Sequence, residues 1–359
     1  MRVVIAGGGT AGHVNPALAL AHALRGDEVS FIGTERGLEA RMVPENGFPF
    51  TSIDVAGFDR AKPYAFPAVA VRAAGAIRQS RASLARTAPD VVVGMGGYVS
   101  LPVALAARTR GIPLVLHEQN IVLGLANRVA KRFATRVAVS FEETLVTAGP
   151  RAVYTGNPIA ADLAHLDRNT VRAAAYEQFG LRPDRRTILI FGGSLGAHTL
   201  NVAGYELAVD WKDRTDVQIF HISGRKGLMI MGSTPPDVSG IMRHADYVDD
   251  MKLAYAVADL AICRGGATTV AELCATGLPA IIVPYPHHRD RQQERHGRVL
   301  EGTGAAVVVP DAGATAERLG AVVDDLLSGD HLARMAAAAR SLGRPDAAED
   351  LARIVHAVA

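Results

Sequence analysis

Short runs of Val, Ile and Leu recur along the chain, each followed by glycines and then by a longer Ala- and Leu-rich stretch with helical spacing. Runs that apolar read as strands buried on both faces, and the alternation of strand, turn and helix reads as β-α units around parallel sheets. The pattern predicts strands at residues 3–6, 29–32, 91–93, 114–117 and 136–139, and again at 187–191, 217–222, 260–263, 280–283 and 306–309. The two sets share their punctuation. Asp90-Val-Val-Val-Gly-Met-Gly-Gly97 leads to Gly111-Ile-Pro113 and a new strand, as Asp259-Leu-Ala-Ile-Cys-Arg-Gly-Gly266 leads to Gly277-Leu-Pro279. The expected fold is α/β, with two doubly wound Rossmann-like parallel-sheet domains at residues 1–160 and 161–342 and a last helix, 343–359, packing back on the first.

The chain has 359 residues, 49% hydrophobic and 21% charged, a composition that supplies two cores and excludes a disordered or fibrous protein. Lys plus Arg total 38 against 36 Asp plus Glu, too balanced for a nucleic-acid binder. The distribution is less even: residues 1–160 carry 17 basic and 11 acidic side chains, the remainder 21 and 25. Between Asp59 and Asp90 no acid occurs, while Arg60, Lys62, Arg72, Arg78, Arg81 and Arg86 alternate with Tyr64, Phe66, Val69, Val71 and Ile77. Such a stretch is either an amphipathic face for anionic lipid or a solvated basic helix. No signal peptide or membrane-spanning run is legible, so membrane contact is expected to be peripheral. Cys263 and Cys274 match no metal or redox spacing, and no Asp-x-Asp pair is present to hold Mg²⁺ on a nucleotide diphosphate. Neither metal nor cofactor is expected.

Candidate chemistry gathers where strands give way to helices. Gly7-Gly-Gly-Thr-Ala-Gly12 follows the first strand and precedes a helix whose first turn contains Pro16, an arrangement that aims backbone N–H groups and a helix dipole at an anion. It also matches G-x-G-x-x-G, with Glu35 near the end of the second strand, so dinucleotide binding is one reading and a tight packing turn another. Gly192-Gly-Ser-Leu-Gly196 repeats the arrangement in the second half, and its G-x-S-x-G spacing admits Ser194 as a hydrolase nucleophile. An elbow explains one loop; anion binding explains both, since such loops would line a single cleft. Arg264-Gly-Gly-Ala-Thr-Thr-Val-Ala-Glu272 is a third such turn. There Glu272 is positioned to accept from a ribose diol or is a first-turn acid favoured by the dipole, and Arg264 either neutralises phosphate or braces the loop. Three polar clusters lie nearby: His13-Val-Asn15, His117-Glu-Gln-Asn120 and Asp290-Arg-Gln-Gln293, whose glutamines can read sugar hydroxyls. Charge on a departing diphosphate would fall to N–H groups, helix dipoles and arginine.

These motifs, with Gly96-Gly-Tyr-Val-Ser100 and Gly156-Asn-Pro158, occur in an order that resembles the MurG family. Its members are bacterial transferases that move N-acetylglucosamine from UDP-N-acetylglucosamine to undecaprenyl-pyrophosphoryl-N-acetylmuramyl-pentapeptide (lipid I), giving lipid II for peptidoglycan, cell shape and division. The resemblance spans about residue 3 to residue 310. It implies a GT-B fold, the donor held mostly by the second domain and lipid I by the first, and a peripheral position on the cytoplasmic membrane face. It assigns donor contacts to Thr10, Ala11 and Gly12, to Asn120 and Ser194, to Val248 against the uracil, to Ala267, Thr268, Thr269, Val270, Ala271 and Glu272, and to Gln292, beside which stands Gln293. It offers His13 and Glu118 as alternative catalytic bases. Departures from the family pattern are Ile159-Ala160 in place of a usual arginine, Leu195 for glutamine, Thr268 for leucine, Arg295-His296-Gly297 without an Asn-Ala pair, and one extra residue within 286–289. Within the same fold, the residues leave open another GT-B transferase with a different acceptor, or a nucleotide-sugar-binding protein without turnover.

Overall fold

The structure, a computed structural model, describes residues 1–55, 66–225, 237–288 and 290–359, with the side chains of 66–71 outside the description. The chain divides into two compact units, Met1–Ala161 with Arg344–Ala359, and Asp162–Gly343. In the first, β1 (Arg2–Ala6), α1 (Ala11–Ala23), β2 (Glu28–Gly33), α2 (Glu39–Glu45), β3 (Phe50–Ser52), α3 (Phe66–Thr87), β4 (Val91–Gly94), α4 (Ser100–Thr109), β5 (Leu114–Glu118), α5 (Leu125–Ala130), β6 (Arg136–Val139), α6 (Thr144–Ala148) and β7 (Ala152–Tyr154) follow one another. In the second come α7 (Ala161–Ala164), α8 (Arg168–Phe179), β8 (Arg186–Phe191), α9 (His198–Asp210), β9 (Val217–Ile222), β10 (Met242–Ala245), α10 (Met251–Val257), β11 (Leu260–Cys263), α11 (Ala267–Thr276), β12 (Ala280–Ile282), α12 (Gln292–Gly302), β13 (Ala306–Val308), α13 (Ala316–Leu327) and α14 (His331–Leu342). The last helix, α15 (Ala347–Val358), returns to the first unit.

Both sheets are wholly parallel, ordered β3-β2-β1-β4-β5-β6-β7 and β10-β9-β8-β11-β12-β13. Each reverses its winding once, between β1 and β4 in the first and between β8 and β11 in the second; ligands of such sheets bind beyond the carboxyl ends of strands at that reversal. The interior strands are the continuous apolar runs, and every residue of β4, β5, β9 and β11 is buried.

Three strands have no counterpart among the predicted runs: β3, β7 and β10. All three are sheet edges. With a neighbour on one side only, they bury a single residue, Met242, between them, and Phe-Thr-Ser or Met-Arg-His-Ala leaves no apolar run to detect. Pro16 is likewise displaced from its expected place, being the sixth residue of α1. The glycine turn closes within Gly7–Thr10, so Gly12 and His13 form the first turn instead. Among the described residues no helix is long and apolar enough to cross a membrane.

One face of the first sheet is covered by α1 together with α15, whose Leu351, Ala352 and Val355 join Val3, Ile5, Leu20 and Val93 in one cluster. The opposite face is covered by α3 and α4 through Ala76, Leu84, Val103 and Ala107. The second unit has its own core, which includes Ile188, Ile190, Leu200, Leu260, Ile281 and Leu319. Because Leu351 is fully buried in the first core, Leu351→Ala should cost about 2–5 kcal/mol there. Hydrogen exchange is the expected readout: protection falls in β1 and β4 while β8 and β11 keep theirs. Equal loss in both sheets would contradict this packing.

Candidate active site

In the second unit three helices follow the central strands with no side-chain cap: α9 after β8, α11 after β11 and α12 after β12. The flanking turns differ, since Asp250 caps α10 and Thr315 caps α13. An uncapped helix start leaves N–H donors and the positive end of its dipole to whatever lies in front of it. β8, β11 and β12 are adjacent in the sheet, so the three open turns stand side by side.

The β8–α9 turn is backbone laid on backbone. A Cβ on Gly196 would stand 2.0 Å from the Ser223 carbonyl oxygen, which also accepts from Asn201 Nδ2 at 3.0 Å. Ser194 is exposed, and among the described residues no base hydrogen-bonds its hydroxyl; α9 begins only at His198. A nucleophile elbow needs its serine on the strand-to-helix turn with a base in reach. Ser194 has neither.

Glu272 is the sixth residue of α11, and the Tyr255 hydroxyl donates to its Oε2 at 2.7 Å. Burial pushes this carboxyl up to about 7, the tyrosine bond holding it lower than burial alone would. It is therefore no solvated first-turn acid. Arg264, with its side chain 11% exposed, donates from one guanidinium nitrogen to the Val283 and Pro284 carbonyls and pairs with Asp311, so it ties the end of β11 to the turn after β12. Of the paired glutamines, Gln293 Oε1 accepts from the Tyr285 N–H at 2.9 Å, while Gln292 Oε1 is buried without a protein partner among the described residues. Arg291, which precedes them, adopts φ +46°, a left-handed conformation costly for a side chain other than glycine. Val248 lies half-buried in the turn before α10, beside Tyr247, whose ring carries the Arg225 guanidinium 4.1 Å from its centre.

The first unit repeats the plan on β1, β4 and β5. Thr10 precedes α1 without capping it; its hydroxyl instead meets His13 Nδ1 at 3.1 Å. Beneath the turn lies Glu39, 1% exposed, which accepts from the Gly9 N–H at 2.8 Å and from the Thr34 N–H and hydroxyl at 2.9 and 2.8 Å. Its carboxylate sits where a Cβ on Gly8 would be, 2.1 Å away. The acid beneath this turn is thus Glu39, whereas Glu35 is exposed and accepts from the Ser52 hydroxyl. Burial pushes His13 below the ordinary imidazole range, partly offset by the Glu39 charge, so the ring is neutral near pH 7.

Glu118, at the end of β5, is buried, and both its oxygens are taken. Oε1 accepts from the Asn120 N–H and side-chain amide at 3.0 and 3.3 Å, and Oε2 from the Gly124 N–H at 2.8 Å and Asn127 Nδ2 at 2.9 Å. Burial raises its pKa while these bonds lower it, with burial dominant. On α3, Arg72, Arg78 and Arg81 are exposed while Ala76, Ser80, Ser83 and Leu84 are buried, so the helix turns a basic face outward. The expected basic and apolar residues Arg60, Lys62 and Tyr64, and the side chains of Phe66, Val69 and Val71, lie outside the described residues, as does Arg289.

Two parallel-sheet units, each with uncapped glycine turns on its central strands, give the architecture of the GT-B fold. Residues 3–139 match the glycosyltransferase family 28 N-terminal domain and 187–351 its C-terminal domain. The UDP-N-acetylglucosamine--N-acetylmuramyl-(pentapeptide) pyrophosphoryl-undecaprenol N-acetylglucosamine transferase of Nocardioides sp. is 46% identical over 99% of this chain and 97% of its own. That of Halothermothrix orenii is 40% identical over 99% and 98%. The crystal structure of Acinetobacter baumannii MurG superposes with a TM-score of 0.79 at 30% identity, covering 99% of each chain. The chain belongs to this family of N-acetylglucosamine transferases.

Glu272 yields a test of its surroundings. Folding moves its carboxyl from 4.5 to about 7, so the folded protein loses stability as pH rises through that window. Glu272→Gln cannot ionise and should gain on the wild type across it, by on the order of 1–2 kcal/mol in denaturant unfolding, with no gain below it. A difference that did not vary with pH would contradict a half-buried Glu272 whose pKa folding raises.

Proposed function

We propose that this protein transfers N-acetylglucosamine from UDP-N-acetylglucosamine to the 4-hydroxyl of the muramyl sugar of lipid I, with inversion at the anomeric carbon, to give lipid II. The second unit takes the donor. Glu272 accepts from the ribose hydroxyls, Val248 borders the uracil, and the open starts of α9 and α11, from Ser194 and from Ala267 to Val270 with Ala271, receive the diphosphate. Gln292 reads the sugar. Arg264 and Gln293 hold these turns in shape, the first by pairing with Asp311 and the second by its bond to Tyr285 N.

The first unit takes the acceptor, with Thr10, Ala11 and Gly12 forming the turn that carries His13, and Asn120 facing the transferred sugar. The observation that carries the assignment of the base is the contrast between His13 and Glu118. His13 is neutral with Nδ1 held by Thr10, which leaves Nε2 to take a proton, whereas every bond of Glu118 is spent on its own loop. In the transfer, the O4 proton passes to His13 Nε2, O4 bonds to the anomeric carbon, and the bond to the UDP phosphate oxygen breaks with its electron pair leaving on UDP. His13→Ala should lower kcat by roughly 10² to 10⁴ and leave UDP affinity by calorimetry unchanged. Turnover near wild type would remove His13 as base, and a loss confined to UDP binding would make it a donor residue.

The acceptor is a membrane lipid, and the outward basic face of α3 fits peripheral docking on an anionic cytoplasmic leaflet, no nucleic acid being involved. Each arginine near such a surface contributes about 1 kcal/mol, screened by salt. Replacing Arg72, Arg78 and Arg81 by glutamate should reduce sedimentation with vesicles containing phosphatidylglycerol and slow transfer to bilayer-embedded acceptor, while a short-chain acceptor is used as before. Vesicle binding indifferent to both substitution and salt would place the docking face elsewhere.

A further inference from the structure

Gln119 is 2% exposed at the carboxyl end of β5, between Glu118 and Asn120. Its Nε2 donates to the Met95 carbonyl at 2.8 Å, which fixes the orientation of the amide: the nitrogen is committed to the β4–α4 turn and the oxygen faces the other way. That oxygen is buried and has no protein partner among the described residues. A buried acceptor left unpaired is costly, so a role for it is to be sought in what it faces.

It faces His13 across Gly96. A Cβ built on Gly96 would stand 2.7 Å from His13 Cδ2 and 3.0 Å from its Nε2, with Gln119 Oε1 next at 3.4 Å. The imidazole edge and the amide oxygen therefore look into one small volume, kept clear because residue 96 has no side chain. In the tautomer that carries the proton on Nδ1, toward Thr10 Oγ1 at 3.1 Å, Nε2 is a lone pair and has nothing to donate to Gln119. After proton abstraction Nε2 carries a hydrogen, and an acceptor is waiting at its side.

We propose that Gln119 is a positioning residue for the base: its Oε1 accepts the Nε2–H of protonated His13 after a small turn of the ring, and so raises the basicity of His13. This rests on His13 being the base, as proposed above. The proton comes from the acceptor hydroxyl and stays on His13 until solvent removes it; Gln119 gains and loses no proton. The charged or titratable groups facing His13 are Glu39 beneath the turn, which favours the protonated ring, and His117 on β5, which is itself pushed down to about 4 by burial and stays neutral. Neither of them supplies the missing acceptor.

The test is the titration of His13 in the substrate-free protein, followed by NMR of ring-labelled histidine with His13→Ala for assignment, alongside the acidic limb of the kcat/KM profile. Gln119→Leu removes the acceptor and should move the His13 midpoint down by about one pH unit and lower kcat by roughly tenfold. Gln119→Glu puts a carboxylate in its place and should move the midpoint up. Shifts of opposite sign, with UDP affinity unchanged in both variants, are the expected result; a merely structural glutamine would give none, or the same sign for both. Midpoints unmoved, or moved together, would overturn the proposal, and should the leucine variant not fold, the glutamate variant alone gives the sign. The titration needs no substrate. Failure of the wild-type protein to form disaccharide from UDP-N-acetylglucosamine and a lipid I analogue would therefore sink the functional reading and the role as base with it, while the titration alone decides whether Gln119 accepts from protonated His13.

Discussion

What the rest of this structure depends on is the absence of side chains where strands end. A Cβ at Gly97 would come within 2.6 Å of the Gly8 carbonyl oxygen, and one at Gly265 within 2.4 Å of the Gln293 carbonyl oxygen. The turns on adjacent strands lie against one another at distances that only bare backbone permits. Parallel strands bring those turns to the same end of the sheet, and the winding reversal leaves room in front of them. With no side chain to cap the following helices, their first N–H groups stay available for anionic or hydroxyl-bearing ligands. The few side chains that do reach the turns, His13 and Glu272 among them, are those to which the proposed transfer assigns its chemistry.

Those two side chains divide the work by their surroundings. Burial drives both toward their neutral forms, which keeps His13 unprotonated and able to accept, and holds Glu272 near 7, where a ligand hydroxyl can draw it into ionisation. Under the proposed transfer the same physics sets the lower pH edge of activity, since His13 becomes protonated and Glu272 fills with a proton as pH falls. Glu39 and Glu118 are a different use of the same residue type. Glu39, bonded to the Gly9 and Thr34 N–H groups, and Glu118, bonded to its own loop, spend their charge on shape.

The interior strands and the glycine turns were legible in the sequence because each is a local signal, a run of β-branched residues or a cluster of glycines. Edge strands such as β10 were not, since half their residues face water. The candidate ligand residues on those turns were legible for the same local reason, with the order of motifs giving the family. Their supports were not. Glu39 reaches Gly9 across 30 residues, Tyr255 reaches Glu272 across 17 and Gln119 reaches Met95 across 24, and no spacing rule links such partners. Arg264 and Gln293 show the converse: polar residues beside a phosphate turn suggest ligand contact, while the fold ties both to backbone groups of their own unit.

The claim that ties these observations together is that one unit presents an activated sugar and the other a neutral base to an acceptor hydroxyl. The stereochemistry of the product tests it most directly. With UDP-N-acetylglucosamine, whose anomeric bond is α, and a soluble lipid I analogue, the proton spectrum of the isolated product should show a single new β-1,4 linkage, with one UDP released for each. An α linkage, or UDP released as free N-acetylglucosamine accumulates, would contradict direct displacement by a base-assisted hydroxyl.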